Sequence, residues 1–315
     1  MREAEQLAAE AENAGASSVW VTDVRREPYL VCAAALRATT RVTVGIDVAV
    51  AFSRSPAVTA QAAWDLAGYG KGRFVLGLGS QVGPTLLSRF GVEADRPAAR
   101  LRDYLLAVRA CWEAYRKGHG HYQGEFYAIR QPVFSPGADD PWPAIPLYVA
   151  GVNPVMTAMA GEVADGFAAH MFCTPTYLDR VLRPALARGA TRAKRAAPPV
   201  LLPLVVGRDR GSLALQMTTY TVPAYRRVLD ESGFRDEADA ILGALADRRR
   251  TEAARIIEER CLDQLGVAVL DDLPERMRLW SAHADAVGLT VPWYGLDRDA
   301  QVALFRDVLR ALERL

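Results

Sequence analysis

The sequence is poor in the residues that most often announce chemistry. Among 315 residues there are only four cysteines and four histidines. Cys32, Cys111, Cys173 and Cys261 stand far apart and share no metal-ligand spacing, which excludes a site built on clustered thiolates. Three of them fall in segments of helical pattern and read as small buried side chains, whereas Cys173 falls in a loop. A cysteine content this thin points to a reduced, cytoplasmic protein. His119 and His121 have no carboxylate cluster beside them, so no metal is expected, and His283 reads as the surface of a helix. An excess of charge is lacking too, with 38 Lys and Arg against 37 Asp and Glu. That balance removes the electrostatic footprint of a nucleic-acid or membrane-surface binder. Arg248-Arg249-Arg250, flanked by Asp247 and Glu252, reads as a solvated helix face. The N-terminal stretch is acidic and amphipathic, unlike a signal peptide, and no apolar run reaches the ~20 residues that cross a bilayer.

What is present is an alternation of helical and strand periods along the whole chain. Residues 2–14 read as a helix with Leu7, Ala8, Ala11 and Ala14 on one stripe and Gly15 as its stop. Strand patterns begin near residues 18, 42, 73, 145, 166, 200 and 288, the second running from Val42 to about Val50. Helical patterns lie between them, the clearest from Pro97 to Arg116. Two segments break the rhythm. Residues 118–144 hold a small hairpin at 122–129 and a loop rich in Pro, Gly and Asp, and residues 211–262 are mostly helical. Strands alternating with helices imply parallel βαβ units. The competing doubly wound sheet wants a glycine fingerprint after its first strand, and none is present. The reading is therefore one domain over 1–315, an eight-stranded (β/α)8 TIM barrel in which seven strands are legible and the first is apparently missing from this chain.

One loop has the form of an anion site. Ala150-Gly151-Val152-Asn153-Pro154 follows the strand Ile145–Val149 and opens a helix. Free backbone N–H groups and the positive end of the helix meet there, as a phosphate requires. Proline at the first helical position is an equally good reason for part of this pattern. A second glycine strand, Gly77-Leu78-Gly79, runs into Ser80 and Gln81. Its bare backbone suits either a flat ring or tight packing.

Several segments together resemble the bacterial luciferase-like family. They are Ala51–Pro56, Gly72–Gln81, Asp95-Arg96-Pro97, Gly124–Tyr127, Ala150-Gly151-Val152 and Gly161–Gly166. The branch most resembled is that of deazaflavin-dependent oxidoreductases using coenzyme F-420, and Thr221–Arg226 resembles an insertion of one of its subgroups. The resemblance implies a luciferase-like TIM barrel with a helical insertion, a homodimer, and a cofactor at the C-terminal ends of the strands, where barrel chemistry collects. It implies a non-proline cis peptide behind the ring at Asp47-Val48, with Ile46-Asp47 as the alternative register. Ser80, Gln81 and Gly79 are then cofactor contacts, and Gly151, Val152 and Asn153 hold the phosphate. Asp23 and His170, both at strand ends, are the candidate catalytic groups, with Tyr29 and Tyr220 as other proton sources.

Two departures narrow the chemistry. Sugar-phosphate dehydrogenases of the family carry a histidine where this chain has Val24 and a glutamate where it has Val82. Proton abstraction from a sugar is thus not expected. The activity expected is hydride transfer between reduced F-420 and an unsaturated small organic substrate. The alternatives are an FMN-dependent monooxygenase, whose cofactor also carries a phosphate, and a barrel without redox activity that serves as a binding protein or a cofactor-independent enzyme.

Overall fold

Strand-end chemistry depends on which strands form, and in a computed structural model they do so within residues 1–130 and 144–314, the residues described. The chain divides into two units. The first comprises Met1–Ala150, Ala158–Phe167 and Gly189–Pro198, and the second Gly151–Thr157, Ala168–Arg188 and Pro199–Leu315.

The first unit opens with α1 (Arg2–Asn13), β1 (Ser18–Val21), α2 (Pro28–Ala38), β2 (Thr43–Ile46), β3 (Ala49–Val50) and α3 (Pro56–Tyr69). It continues with β4 (Phe74–Gly79), α4 (Gly83–Phe90), α5 (Pro97–Lys117), the hairpin β5 (Tyr122–Gln123) and β6 (Ala128–Ile129), and β7 (Leu147–Gly151). Helix starts follow their caps. Glu27 accepts from Leu30 N–H before Pro28, and Ser55 accepts from Val58 N–H before Pro56. Gly15 and Gly118 turn the chain out of α1 and α5 at φ values of +87° and +73°. The strands pair in parallel, Val19 beside Val44, Val44 beside Phe74, and Leu76 beside Leu147. β4 is buried along its whole length, so both faces read as apolar or glycine. Leu76, Leu78, Leu101, Leu105 and Val108 are fully buried in this unit's core.

Next come α6 (Pro154–Val163) and β8 (Gly166–Ala169), each divided between the units, then α7 (Pro175–Tyr177), a π-helical turn at Leu178–Leu182, and α8 (Arg183–Arg192), which is divided likewise. The second unit continues with β9 (Val200–Gly207), α9 (Arg210–Met217), α10 (Arg226–Asp230), α11 (Arg235–Ala246) and α12 (Arg250–Arg260). It closes with β10 (Val267–Val269), α13 (Leu273–Ser281), β11 (Ala286–Thr290) and α14 (Arg298–Leu312). β10 and β11 both run parallel to β9, Val267 beside Val205 and Ala286 beside Leu201. Val206, Ala268, Leu273, Leu304 and Val308 form a buried cluster that joins these strands to α13 and α14.

All seven expected strands are present, and the helical reading of 211–262 holds as α9 to α12. Three differences have local causes. The single strand expected from Val42 to Val50 is interrupted at Asp47-Val48 and forms β2 and β3. β10 is only three residues long, too short to show a period, and was not expected. α4, Gly83–Phe90, was not expected; it is short, and its proline suits a first helical turn. The Pro-, Gly- and Asp-rich loop expected after the hairpin lies largely at 131–143, outside the described residues.

Candidate active site

Three strand ends of the first unit, those of β1, β2 and β4, carry sequence candidates. Asp23, two residues past β1, is buried at 8% exposure. Its Oδ2 accepts from the Val50 N–H at 3.2 Å and from Arg54 Nη1 at 3.2 Å. Arg54 also donates to Glu27 at 2.8 Å, and Arg89 donates to the Asp23 carbonyl at 3.1 Å. The carboxylate is thereby committed to holding the loop after β1 against the start of the turn after β3. Neither Arg54 nor Arg89 was singled out from the sequence, since an arginine that pins a loop has no local signature.

Asp47-Val48 is a cis peptide, as the resemblance implied. Asp47 N–H donates to the Val21 carbonyl at 2.8 Å, which ties the end of β2 to β1. Its carboxylate has no hydrogen-bond or ion-pair partner among the described residues, and burial pushes its pKa up to about 6. Val48 occupies the space beside both glycines of β4. A Cβ on Gly79 would lie 2.8 Å from Val48 Cγ2, and one on Gly77 would lie 1.9 Å from the Ile46 carbonyl oxygen. For Gly77 the packing reading therefore wins: the β2 backbone passes where a side chain would stand. The bare face of Gly79 is covered by Val48. Ser80 donates to the Gln81 carbonyl at 3.2 Å, and Gln81, at φ +60°, accepts the Val82 N–H at 2.9 Å. These two residues shape the entry to α4.

Tyr29, an alternative proton source, is buried with no hydrogen-bond partner for its hydroxyl among the described residues, and burial pushes its pKa up to about 12. It therefore stays protonated beneath the Arg54 guanidinium, 5.2 Å from the ring centre. Val24 is 47% exposed, and the Arg89 guanidinium donates to its carbonyl. His119 and His121 are exposed, and no cluster of His, Cys, Asp and Glu able to hold a metal occurs among the described residues. An open cavity of about 580 Å³ lined by Arg109, Trp112, Arg116, Pro146 and Asp165 lies at the N-terminal end of β7, the face that carries stability rather than chemistry in barrels. Its Arg109 is already bonded to Asp165 at 2.9 Å.

The second unit holds the anion loop and a polar aromatic group. Gly151, Val152 and Asn153 lead into α6, whose first-turn N–H groups have no partners within the helix. Tyr177 donates to the Val152 carbonyl at 2.9 Å, and the Asn153 side chain donates to the Ala224 carbonyl at 3.0 Å. The carbonyls and side chains of the loop are thus turned into protein contacts. Val155 in the first turn is 72% exposed, so the helix end is open.

His170 directly follows β8. Its Nδ1 accepts the Phe172 N–H at 3.0 Å, and burial lowers its pKa to about 4. At neutral pH the ring is uncharged with its proton on Nε2, so it acts as a hydrogen-bond donor and not as a base. Tyr220 and Tyr225 pack against it, with ring centres at 4.7 Å and 5.1 Å. The Tyr220 hydroxyl accepts from Gln216 Nε2 at 3.1 Å and from Trp293 Nε1 at 3.2 Å. Gln216 is fully buried and its Oε1 accepts the N–H groups of Trp293 and Tyr294, both at 2.9 Å. Gln216 and Trp293 were not expected at a site. Cys173 is buried and its thiol pushed up to about 12 by that burial, so it is no nucleophile. His283, expected on a helix surface, follows α13 and its Nδ1 meets Asp179 at 2.8 Å.

Known proteins align with the chain over most of its length. An uncharacterized protein of Mycobacterium tuberculosis is 37% identical over 240 residues, 71% of this chain and 70% of its own. The F420-dependent glucose-6-phosphate dehydrogenase of Amycolatopsis mediterranei is 29% identical over 244 residues, 70% of each chain. The solved coenzyme F420 dependent tetrahydromethanopterin reductase of Methanopyrus kandleri superposes with a TM-score of 0.80 at 19% identity, covering 99% of this chain and 94% of that one. That likeness shows the fold, the luciferase-like TIM-barrel type. No described helix is long and apolar enough to cross a membrane. The model of the luciferase-like monooxygenase family matches residues 1–278, and the chain belongs to that family of enzymes.

Proposed function

We propose that the protein is an F-420-dependent oxidoreductase that moves a hydride between the reduced deazaflavin and an unsaturated small organic substrate. The observation that carries the reading is the open, pre-ordered N-terminus of α6, with Tyr177 and Asn153 turning the loop's carbonyl and amide groups away into protein contacts. The backbone N–H groups left free at such a helix start suit the phosphate of a ribityl tail. Relatives and structural neighbours that use F-420 support the choice of cofactor.

When bound, the deazaflavin supplies the hydride chemistry. In this reading Gly151, Val152 and Asn153 hold the phosphate through the backbone. Asp47 and Val48 back the ring, Val48 offering the apolar surface because it covers Gly79. Ser80 and Gln81 meet the polar tail. His170 donates a hydrogen bond through Nε2. Asp23 acts as a positioning residue, holding the strand-end loop through Arg54 and Val50 N–H. Val24 and Val82 leave no basic or acidic group where the sugar-phosphate enzymes of the family have theirs, so sugar oxidation is not proposed. A homodimer in the cytoplasm belongs to the same reading.

The family's description as luciferase-like monooxygenases favours a second reading, FMN with oxygen. Titration of the purified protein with oxidised F-420 and, separately, with FMN, read by fluorescence or calorimetry, decides between them. Micromolar F-420 binding with weak FMN binding is the expected result. Tight FMN binding moves the activity to a monooxygenase, and binding of neither overturns both.

A further inference from the structure

Around His170, the hydrogen bonds of Gln216 and Trp293 fix where two donor protons, those of Tyr220 and His170, are left to point. Gln216 is fixed in orientation, because its Oε1 accepts two backbone N–H groups and its Nε2 must therefore donate to Tyr220. The Trp293 indole can only donate, and it too points at the Tyr220 oxygen. Both lone pairs of that hydroxyl are taken, so its own proton has to leave in another direction. No described residue accepts it. Burial raises the pKa of Tyr220, so the proton stays on the oxygen. His170 reaches the same condition by another route. Its Nδ1 is filled by the Phe172 N–H, its remaining proton is on Nε2, and no described residue accepts that one either. The two rings touch edge to face at 4.7 Å.

We propose that Tyr220 O–H and His170 Nε2–H form a paired donor site for one acceptor-only oxygen, that of a neutral ketone, aldehyde or enone, and that Gln216 is the residue that aims it. An alcohol fits poorly, because its own O–H would need an acceptor and both rings present only donors. His170 and Tyr220 are both half-buried, and a carbonyl oxygen, with two lone pairs and no proton, is the group that can accept from both. A site built this way rejects an analogue that cannot accept. The proposal rests on the oxidoreductase reading for its substrate role and names the class of that substrate.

The test uses the full chain saturated with oxidised F-420 and two probes, cyclohex-2-enone and cyclohex-2-enol, with affinities read from ligand NMR. Wild type is expected to prefer the enone. Tyr220→Phe is expected to lose about tenfold in enone affinity, with F-420 affinity and the weak enol binding unchanged. Equal binding of the two probes, no enone binding to wild type, or an unchanged affinity in Tyr220→Phe overturns the donor pair. A second measurement needs neither cofactor nor variant stability. Histidine-labelled apoprotein, with the His170 signal assigned by His170→Gln, is expected to show a neutral ring protonated at Nε2 at pH 7. A proton on Nδ1, or a charged ring, overturns the proposal. A protein that fails to bind F-420 but shows the Nε2 proton and prefers the enone contradicts the redox reading alone.

Discussion

At the scale of single residues, burial favours the neutral form of both Asp47 and His170, and their effects on stability have opposite signs. The folded pKa of Asp47, about 6, lies above its ordinary 3.8. Its stabilising share is present below pH ~4 and is lost as pH rises through about 6. Asp47→Asn should therefore raise thermal stability at pH 8 by about 1–3 kcal/mol and leave it unchanged near pH 4, as read from melting curves at the two pH values. A variant that melts no higher at pH 8 would show that the carboxylate is not desolvated. The cis peptide at Asp47-Val48 followed from the family resemblance and not from any local pattern, whereas the Gly151–Asn153 loop was legible as a strand-to-helix turn because its residues are contiguous. The Gln216, Tyr220 and Trp293 network was not, because Gln216 and Trp293 are 77 residues apart and no local period links them.

At the scale of elements, two close approaches organise the first unit. Glu12 at the end of α1 accepts the N–H groups of Thr40, Arg41 and Val42, at 3.0, 2.6 and 2.9 Å, and so fastens that helix to the start of β2. Burial opposes its charge, yet these backbone donors hold its pKa down to about 2. Glu12→Gln should cost about 1–3 kcal/mol in denaturant unfolding at pH 7. The folded pKa is depressed, so the difference is present above pH ~4.5 and shrinks as pH falls toward 2. The second approach is β2 on β4. Gly77→Ala should cost about 3 kcal/mol or more, because the added methyl meets backbone, whereas Gly79→Ala meets only the movable Val48 side chain and should cost about 1 kcal/mol. Equal melting temperatures for the two variants would contradict this packing. The strand-helix alternation was visible in the sequence because each element is long enough to show its period. β10, with three residues, and the break between β2 and β3 were not, since both depend on a neighbouring strand.

At the scale of the whole molecule, the individual titrations add into one stability profile. His170 has a folded pKa of about 4 against an ordinary 6.5, so it removes stability as pH falls between those values. Asp47 adds stability over much of the same window, and Glu12 begins to remove it below pH ~4.5. The melting temperature is expected to change little from pH 6.5 to 4.5 and to fall steeply below. In Asp47→Asn the decline should begin already near pH 6.5, which a series of melts in matched buffers measures. A flat profile in the variant would remove His170 as a buried neutral group.

The amino-acid sequence alone determined the alternation of parallel strands and helices, the caps at Glu27 and Ser55, and the absence of a nucleic-acid footprint. These follow from apolar periodicity, from side chains that bond their own backbone neighbours, and from summed charge, all of which are local or additive. Tertiary structure decided that the Asp23 carboxylate is committed to Arg54 and Val50, that Val48 covers Gly79, and which protons of His170 and Tyr220 are left to give. Those outcomes depend on which lone pairs and which spaces are already filled by residues remote in sequence, and only the folded chain brings the competitors together.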